Sequence, residues 1–294
     1  QVTLKRSVQQ GLEEVARDAG RRLGPKLSVA IMIADMRSGE ILGEVGSPDF
    51  FDRNRSGFVD MLRVPRSPGS TLKPLIYGIA FENGVVAQNT VMEDRPANFS
   101  GYRPRNFDSA YQGDVTVRDA LQMSLNVPAV QLLEAVGTPA LFSRLRRAGA
   151  EPFLPKAETP GLATGLGGLG LSLKDLVQLF AALGSKGNAV SLYDGVNGQP
   201  SEPVRAAVLA PQAAWQIIDI LGGIPQPDGS APAPIAYKTG TSYGYRDAWT
   251  IGFDGRHVIG VWVGRPDNAS VPGITGGGTA APILFEAYHR SGLK

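Results

Sequence analysis

Ser70 and Lys73 stand three residues apart in the run Ser67-Pro68-Gly69-Ser70-Thr71-Leu72-Lys73-Pro74. Proline is tolerated in a helix only within its first turn, so Pro74 predicts a helix beginning near residue 70 or 71. Ser70 would then sit at a helix N-terminus, where unpaired N–H groups and the positive end of the dipole gather. The i, i+3 spacing puts hydroxyl and amine on one face. Such a pair offers a nucleophile, an amine to take its proton and N–H groups for an oxyanion, the parts that lysine-assisted serine acyl transfer requires. An N-capping serine followed by a solvated lysine reads the same way. For an isolated Ser-x-x-Lys that plainer reading is the commoner one.

Two further segments change the balance. Ser124-Leu125-Asn126 falls where a helical segment gives way to Val127-Pro128, setting two short hydrogen-bonding side chains on one turn. Lys238-Thr239-Gly240-Thr241-Ser242 lies on a predicted strand, where Thr239 and Thr241 share one face and Lys238 takes the other. Gly240 inside a strand marks a close approach to the backbone. Ordinary turn chemistry would explain the first segment, and an edge strand with a gatekeeper lysine the second. Each is weak alone. The ordered trio Ser-x-x-Lys, Ser-x-Asn, Lys-Thr-Gly across about 170 residues is a strong signal.

The elements that must hold these groups follow from periodicity and punctuation. Leu4, Val8, Leu12, Val15, Ala19 and Leu23 recur at helical spacing until Gly24-Pro25. Residues 27–35 read as a buried strand, 40–46 as its hairpin partner across Arg37-Ser38-Gly39, and 47–69 as irregular loop. Helices are predicted over 71–83, over 116–148 with a break at Gly137-Thr138-Pro139, over 173–184 and near 211–221. Residues 84–115 read as mostly irregular, as do 151–170, 186–203 and 224–234. Strands 235–242, 247–254 and 257–264, the last two joined by Asp254-Gly255, precede a final helix at 279–291. Strands at both ends with helices between predict a mixed α/β fold. Its antiparallel sheet is drawn from both chain ends, flanked by helices, with a helical insertion. The sheet part covers about 1–66 plus 232–294, and the helical part about 67–231.

Gly165-Leu166-Gly167-Gly168-Leu169-Gly170 satisfies the G-x-G-x-x-G dinucleotide pattern. That chemistry needs a strand before it and a helix opening at its end. Two prolines precede it, and Ser172 with Asp175 gives the following helix its own cap, so a glycine-rich connection is the better reading. Asp247 and Trp249 read as a strand start and a buried aromatic. The cluster Arg144, Arg146, Arg147 reads as a solvated helix face, and His257 as a hairpin residue.

Composition narrows the chemistry further. The 294 residues include 43% hydrophobic ones, enough for a sizeable core, and 19% charged ones with a net charge of +2. No run of basic residues points to nucleic acid. The absence of cysteine excludes thiolate nucleophiles and disulfides, and two histidines exclude a histidine-rich metal site and weigh against a serine–histidine triad. No apolar run approaches the ~18 residues of a membrane span, so this stretch is expected to be soluble. Residue 1 is Gln, which leads us to expect upstream sequence.

The trio resembles the signature of the penicillin-recognising serine enzymes, the penicillin-binding proteins and serine β-lactamases. The flanking text RSPGSTLKPLIYGIAFENG, TVRDALQMSLNVPAVQLL, KTGTSYGYRDAWTIGF and ADMRSGEILGEVGSPDF is similar to the transpeptidase domain of class A, bifunctional penicillin-binding proteins of the 1C type. This resemblance covers nearly the whole chain. It implies the fold of that group and acyl transfer from peptidoglycan stem peptides ending in D-Ala-D-Ala, with release of D-alanine. Ser70 would be the nucleophile, and Lys73 the base, its pKa lowered by burial and by Lys238. Ser124 would relay a proton, and Asn126 would hold the substrate amide. Lys238, Thr239, Gly240 and Thr241 would form the carboxylate and backbone subsite, with the Ser70 and Thr241 N–H groups as oxyanion donors. β-Lactam antibiotics would acylate Ser70. No cofactor, metal or nucleic acid is implied. The parent would carry an upstream glycosyltransferase domain and a membrane anchor, working at the periplasmic face of the bacterial inner membrane.

Alternatives remain at this point. A β-lactamase or carboxypeptidase would release the acyl group to water. Glu151-Pro152-Phe153-Leu154-Pro155 approaches the Glu-x-x-Leu-Asn loop of class A β-lactamases, but with Pro155 in place of asparagine. A β-lactam sensor would keep the trio without acceptor chemistry. A histidine-dependent hydrolase is more distant, since neither histidine has the context of a base.

Overall fold

A computed structural model describes residues 2–154, 160–196, 198 and 206–293. Pro155 and parts of the expected loops at 151–170 and 186–203 lie outside them. The first strand, β1 (Ser28–Asp35), is buried along its full length. Its alternation divides the interior in two: Val29, Ile31 and Ile33 join one core, and Ala30, Met32 and Ala34 the other. β2 (Ile41–Val45) pairs with it as the expected hairpin. β5 (Ala236–Thr241), β6 (Asp247–Phe253) and β7 (His257–Gly264) complete a five-stranded antiparallel sheet in the order β2-β1-β7-β6-β5. The N-terminal strand β1 therefore pairs directly with the C-terminal strand β7, from Ser28 against Gly264 to Asp35 against His257.

Helices α1 (Arg6–Leu23) and α8 (Ala281–Arg290) cover one face of the sheet through Val8, Leu12, Val15, Leu284 and Phe285. The other face packs on α6 (Leu173–Gly184), which carries the capping box of Ser172 and Asp175. Beyond it lie α2 (Lys73–Glu82), α3 (Val117–Gln122), α4 (Asn126–Val136), α5 (Thr138–Arg147) and α7 (Pro211–Gly222). This arrangement is the mixed α/β fold read from the sequence. No helix among the described residues is long and apolar enough to cross a membrane.

Several expectations need correction. The α-helix begins at Lys73 rather than at 70 or 71, because residues Gly69–Leu72 form a 3-10 turn ahead of Pro74. The stretch 84–115 contains a small antiparallel pair, β3 (Val91–Asp94) with β4 (Gly113–Thr116). Its strands are four residues long and mostly solvated, so no apolar alternation marks them. The helical stretch 116–148 breaks at Ser124 as well as at Gly137. Arg144 is not on a solvated face: it ion-pairs with Glu82 and donates to the Val208 carbonyl at 3.1 Å. The glycine-rich connection packs on the loop before Ser70, where Ser67 Oγ donates to the Gly167 carbonyl at 2.8 Å.

Candidate active site

Three elements meet around Ser70. The loop that leads into its 3-10 turn is tied to the sheet on one side and to the segment before α6 on the other. Trp249 Nε1 donates to the Ser67 carbonyl at 2.8 Å, and Arg66 exchanges backbone hydrogen bonds with Leu171. Arg66 Nε also lies 3.2 Å from the buried Asp247 carboxylate, which accepts from Trp262 Nε1 and Ser242 Oγ. Asp247 and Trp249 thus fasten the start of β6 to the loop that precedes Ser70. Gly69 adopts φ +53, and a Cβ there would stand 2.5 Å from the Thr241 carbonyl oxygen. Only glycine allows the turn to approach β5 so closely. The Ser70 hydroxyl is half-exposed and makes no hydrogen bond to the described residues.

β5 is the free edge of the sheet. Ser242 N–H donates to the Asp247 carbonyl at 3.0 Å, which sets the phase of the ladder. In an antiparallel pair the residues facing the partner alternate, so the peptide groups of Thr239 and Thr241 face away from β6, toward Ser70. The Thr239 carbonyl accepts from Lys238 Nζ at 2.9 Å. The side chains alternate as expected. Lys238 and Gly240 face the helical layer, where a Cβ on Gly240 would meet the Pro68 carbonyl at 2.6 Å. The Thr241 hydroxyl accepts from Gly276 N–H at 3.1 Å on the other face.

The third element is the junction of α3 and α4. Ser124 there has φ +60, a left-handed conformation uncommon for a residue with a Cβ. This bend delivers its hydroxyl to two buried amines: Lys238 Nζ lies 2.8 Å from Ser124 Oγ, and Lys73 Nζ 3.3 Å. Lys73 Nζ also donates to the Ser124 carbonyl and, at 2.6 Å, to Asn126 Oδ1. Both lysines are fully buried. Burial holds Lys73 well below the usual lysine range; the Lys238 charge lowers it further, and Asp94 pulls the other way. Burial pushes Lys238 down to about 7. Lys73, Ser124, Asn126 and Lys238 are therefore joined in one network; Ser70 lies in the turn just ahead of Lys73, and Thr239, Gly240 and Thr241 follow Lys238 along β5. No hydrogen bond links Lys73 to the Ser70 hydroxyl, a contact that often closes only when substrate is bound.

Two residues escaped the sequence reading. Asp94 is fully buried and accepts from Asn106 Nδ2 at 2.9 and 2.8 Å and from Gln112 N–H at 2.8 Å. Asn106 Oδ1 in turn accepts the Asn126 N–H at 2.7 Å. The pair fixes the start of α4, yet both residues lie in a polar stretch without periodicity that offered no signal.

The chain is similar to known proteins along almost its whole length. A family model described as "Penicillin binding protein transpeptidase domain" matches residues 29–284. The chain is 42% identical over 287 residues to penicillin-binding protein 1C of Escherichia coli, covering 96% of this chain and 37% of that protein. It is 30% identical over 292 residues to penicillin-binding protein 1B of Haemophilus influenzae, covering 92% of this chain and 36% of the relative. It thus spans about a third of the length of these relatives. The solved structure of PonA1 from Mycobacterium tuberculosis in complex with penicillin V superposes with a TM-score of 0.83. That match has 20% identity and covers 100% of this chain and 85% of the other.

Proposed function

The chain belongs to the penicillin-binding protein transpeptidase family, and on that premise we propose that it cross-links peptidoglycan stem peptides through an acyl-enzyme on Ser70. The observation that carries this reading is the meeting of two buried amines on the Ser124 hydroxyl, one of them Lys73, which directly follows the turn that carries Ser70. Ser70 Oγ attacks the carbonyl of the penultimate D-alanine while Lys73, its amine shifted toward the neutral form by burial and by Lys238, takes the hydroxyl proton. The N–H groups of Ser70 and Thr241 receive the oxyanion, each worth roughly 3 kcal/mol. Ser124 passes a proton to the leaving nitrogen, and D-alanine departs. An amine of a second stem peptide then attacks the ester carbonyl and regenerates Ser70. Lys238, Thr239, Gly240 and Thr241 hold the terminal carboxylate, and Asn126 the substrate amide.

β-Lactams would acylate the same hydroxyl by mimicking the donor. The parent protein would be anchored in the bacterial inner membrane, with a glycosyltransferase domain upstream and this domain on the periplasmic side. Intact mass after incubation with a fluorescent penicillin tests the reading: one adduct per chain is expected, and none on Ser70→Ala. Labelling that persists in that variant would remove Ser70 from the nucleophile's role. Turnover of the penicillin adduct within seconds would convert the assignment to a hydrolase.

A further inference from the structure

Residues 95–112, which join β3 to β4, carry three arginines that differ in their partners. Arg95 pairs with Glu93 at 3.3 Å and Asp114 at 2.7 Å. Arg103 and Arg105 form no ion pair among the described residues. Both line a cavity of about 500 Å³, together with Asn98, Ser109 and Tyr111. The nearest acid in sequence, Asp108, accepts the Ala110 N–H at 3.0 Å.

The cavity adjoins the candidate active site. The Arg105 carbonyl accepts from Asn126 Nδ2 at 2.6 Å, one residue from the Asn106 contact with the Asn126 N–H. On its other side the same loop reaches the turn between β5 and β6, where the Phe107 ring meets Tyr245 edge-on at 5.5 Å. The loop thus reaches from Asn126 to the turn that follows β5. A guanidinium offers a rigid fork of donors matched to a carboxylate, and two of them beside neutral hydroxyls make a site for an anion rather than for a neutral side chain.

We propose that Arg103 and Arg105 form a second anion subsite, which takes a carboxylate carried by the acyl-donor peptide upstream of the bond that Ser70 attacks. It is separate from the terminal carboxylate at β5, and it rests on the transpeptidase reading. Its effect is to select donors by charge on the far side of Asn126.

The experiment uses two peptides that end in D-alanyl-D-alanine and differ only in one upstream side chain, a carboxylate in one and its amide in the other. The release of D-alanine is followed, and thermal melting checks the fold of each variant. The unsubstituted chain is expected to favour the carboxylate peptide in kcat/KM by roughly tenfold, the size of one charge-assisted pair. The ratio should fall to about one in the double variant R103Q/R105Q. In R103E/R105E it should reverse, toward the amide peptide. Equal use of both peptides by the unsubstituted chain, or a ratio that survives in R103Q/R105Q, would overturn the subsite. Penicillin labelling of the unsubstituted chain separates the two levels: with labelling intact, only the subsite has failed, and without it the transpeptidase reading falls and the subsite with it.

Discussion

Asn106→Ala removes one small side chain from a closed polar network, and its cost can be worked bond by bond. The substitution deletes two contacts to the Asp94 carboxylate, one to the Ala110 carbonyl and the acceptor for the Asn126 N–H. Asp94, fully buried, is left with the Gln112 N–H as its hydrogen-bond donor among the described residues. A hydrogen bond to a buried charge contributes about 1.5–3 kcal/mol, and water reaching half-exposed Asn126 recovers part of the other loss. A destabilisation of about 3 kcal/mol follows, which for a chain of this size lowers the melting temperature by about 5 °C. The start of α4 also loosens, and with it the Asn126 amide that Lys73 grips at 2.6 Å. A displacement near 1 Å can cost a hundredfold in rate, so acylation by penicillin should slow between tenfold and a hundredfold. The rate is measured by stopped-flow labelling at a temperature where circular dichroism shows the variant folded. A variant that melts within about 2 °C of the parent and acylates at its rate would refute the positioning role of Asn106.

The remaining predictions concern charge and backbone. Acylation needs the neutral Lys73 amine, so its rate constant should rise with pH along an acid limb and then level off. Lys238→Ala withdraws the neighbouring cation and raises the Lys73 pKa, so that limb should move to higher pH; a limb that stays or moves lower contradicts the coupling. Lys238 titrates near about 7 in the folded protein, below its unfolded value, so between that pH and the ordinary lysine range the unfolded chain binds more protons. Stability should accordingly climb with pH across that window, and a urea midpoint series should be flatter in Lys238→Met. Gly69→Ala places a Cβ 2.5 Å from the Thr241 carbonyl at φ +53. Strain of about 1–2 kcal/mol and a widened gap to β5 should cut penicillin acylation at least tenfold, and labelling at the parent rate would show that the close approach is dispensable.

The parts of the site that were legible in the sequence are those whose chemistry is local. Ser70 and Lys73 share a turn, and the alternation along Lys238-Thr239-Gly240-Thr241 follows from strand geometry alone. The buried strand at 27–35 is readable because the unbroken apolar run Val29–Ala34 at its centre has few other uses. What stayed hidden is long-range. Nothing near Asp94 announces that it will meet Asn106 and Gln112, and the short solvated strands β3 and β4 lack the alternation that marks a half-buried strand. Arg144 read as solvent-facing because its partner, Glu82, lies 62 residues away in sequence. The early start drawn for the helix after Ser70 failed for a subtler reason: proline limits where a helix can begin, yet a 3-10 turn satisfies the same limit.

The pairing of β1 with β7 has a consequence for how the molecule comes into being. The centre of the sheet joins Ser28 to Gly264, residues separated by most of the chain, so the sheet cannot close until β7 has been synthesised. Closing so long a loop is entropically slow, whereas α2 to α5 are built largely from near neighbours and can gather early. Within the sheet, the edge strand that presents Thr241 to Ser70 pairs only with β6, which in turn pairs with β7. A chain ending before residue 257 would therefore hold Ser70 and Lys73 in a helical layer facing an unformed wall. The site proposed around Ser70 closes with the last strand, after nearly nine-tenths of the chain is in place.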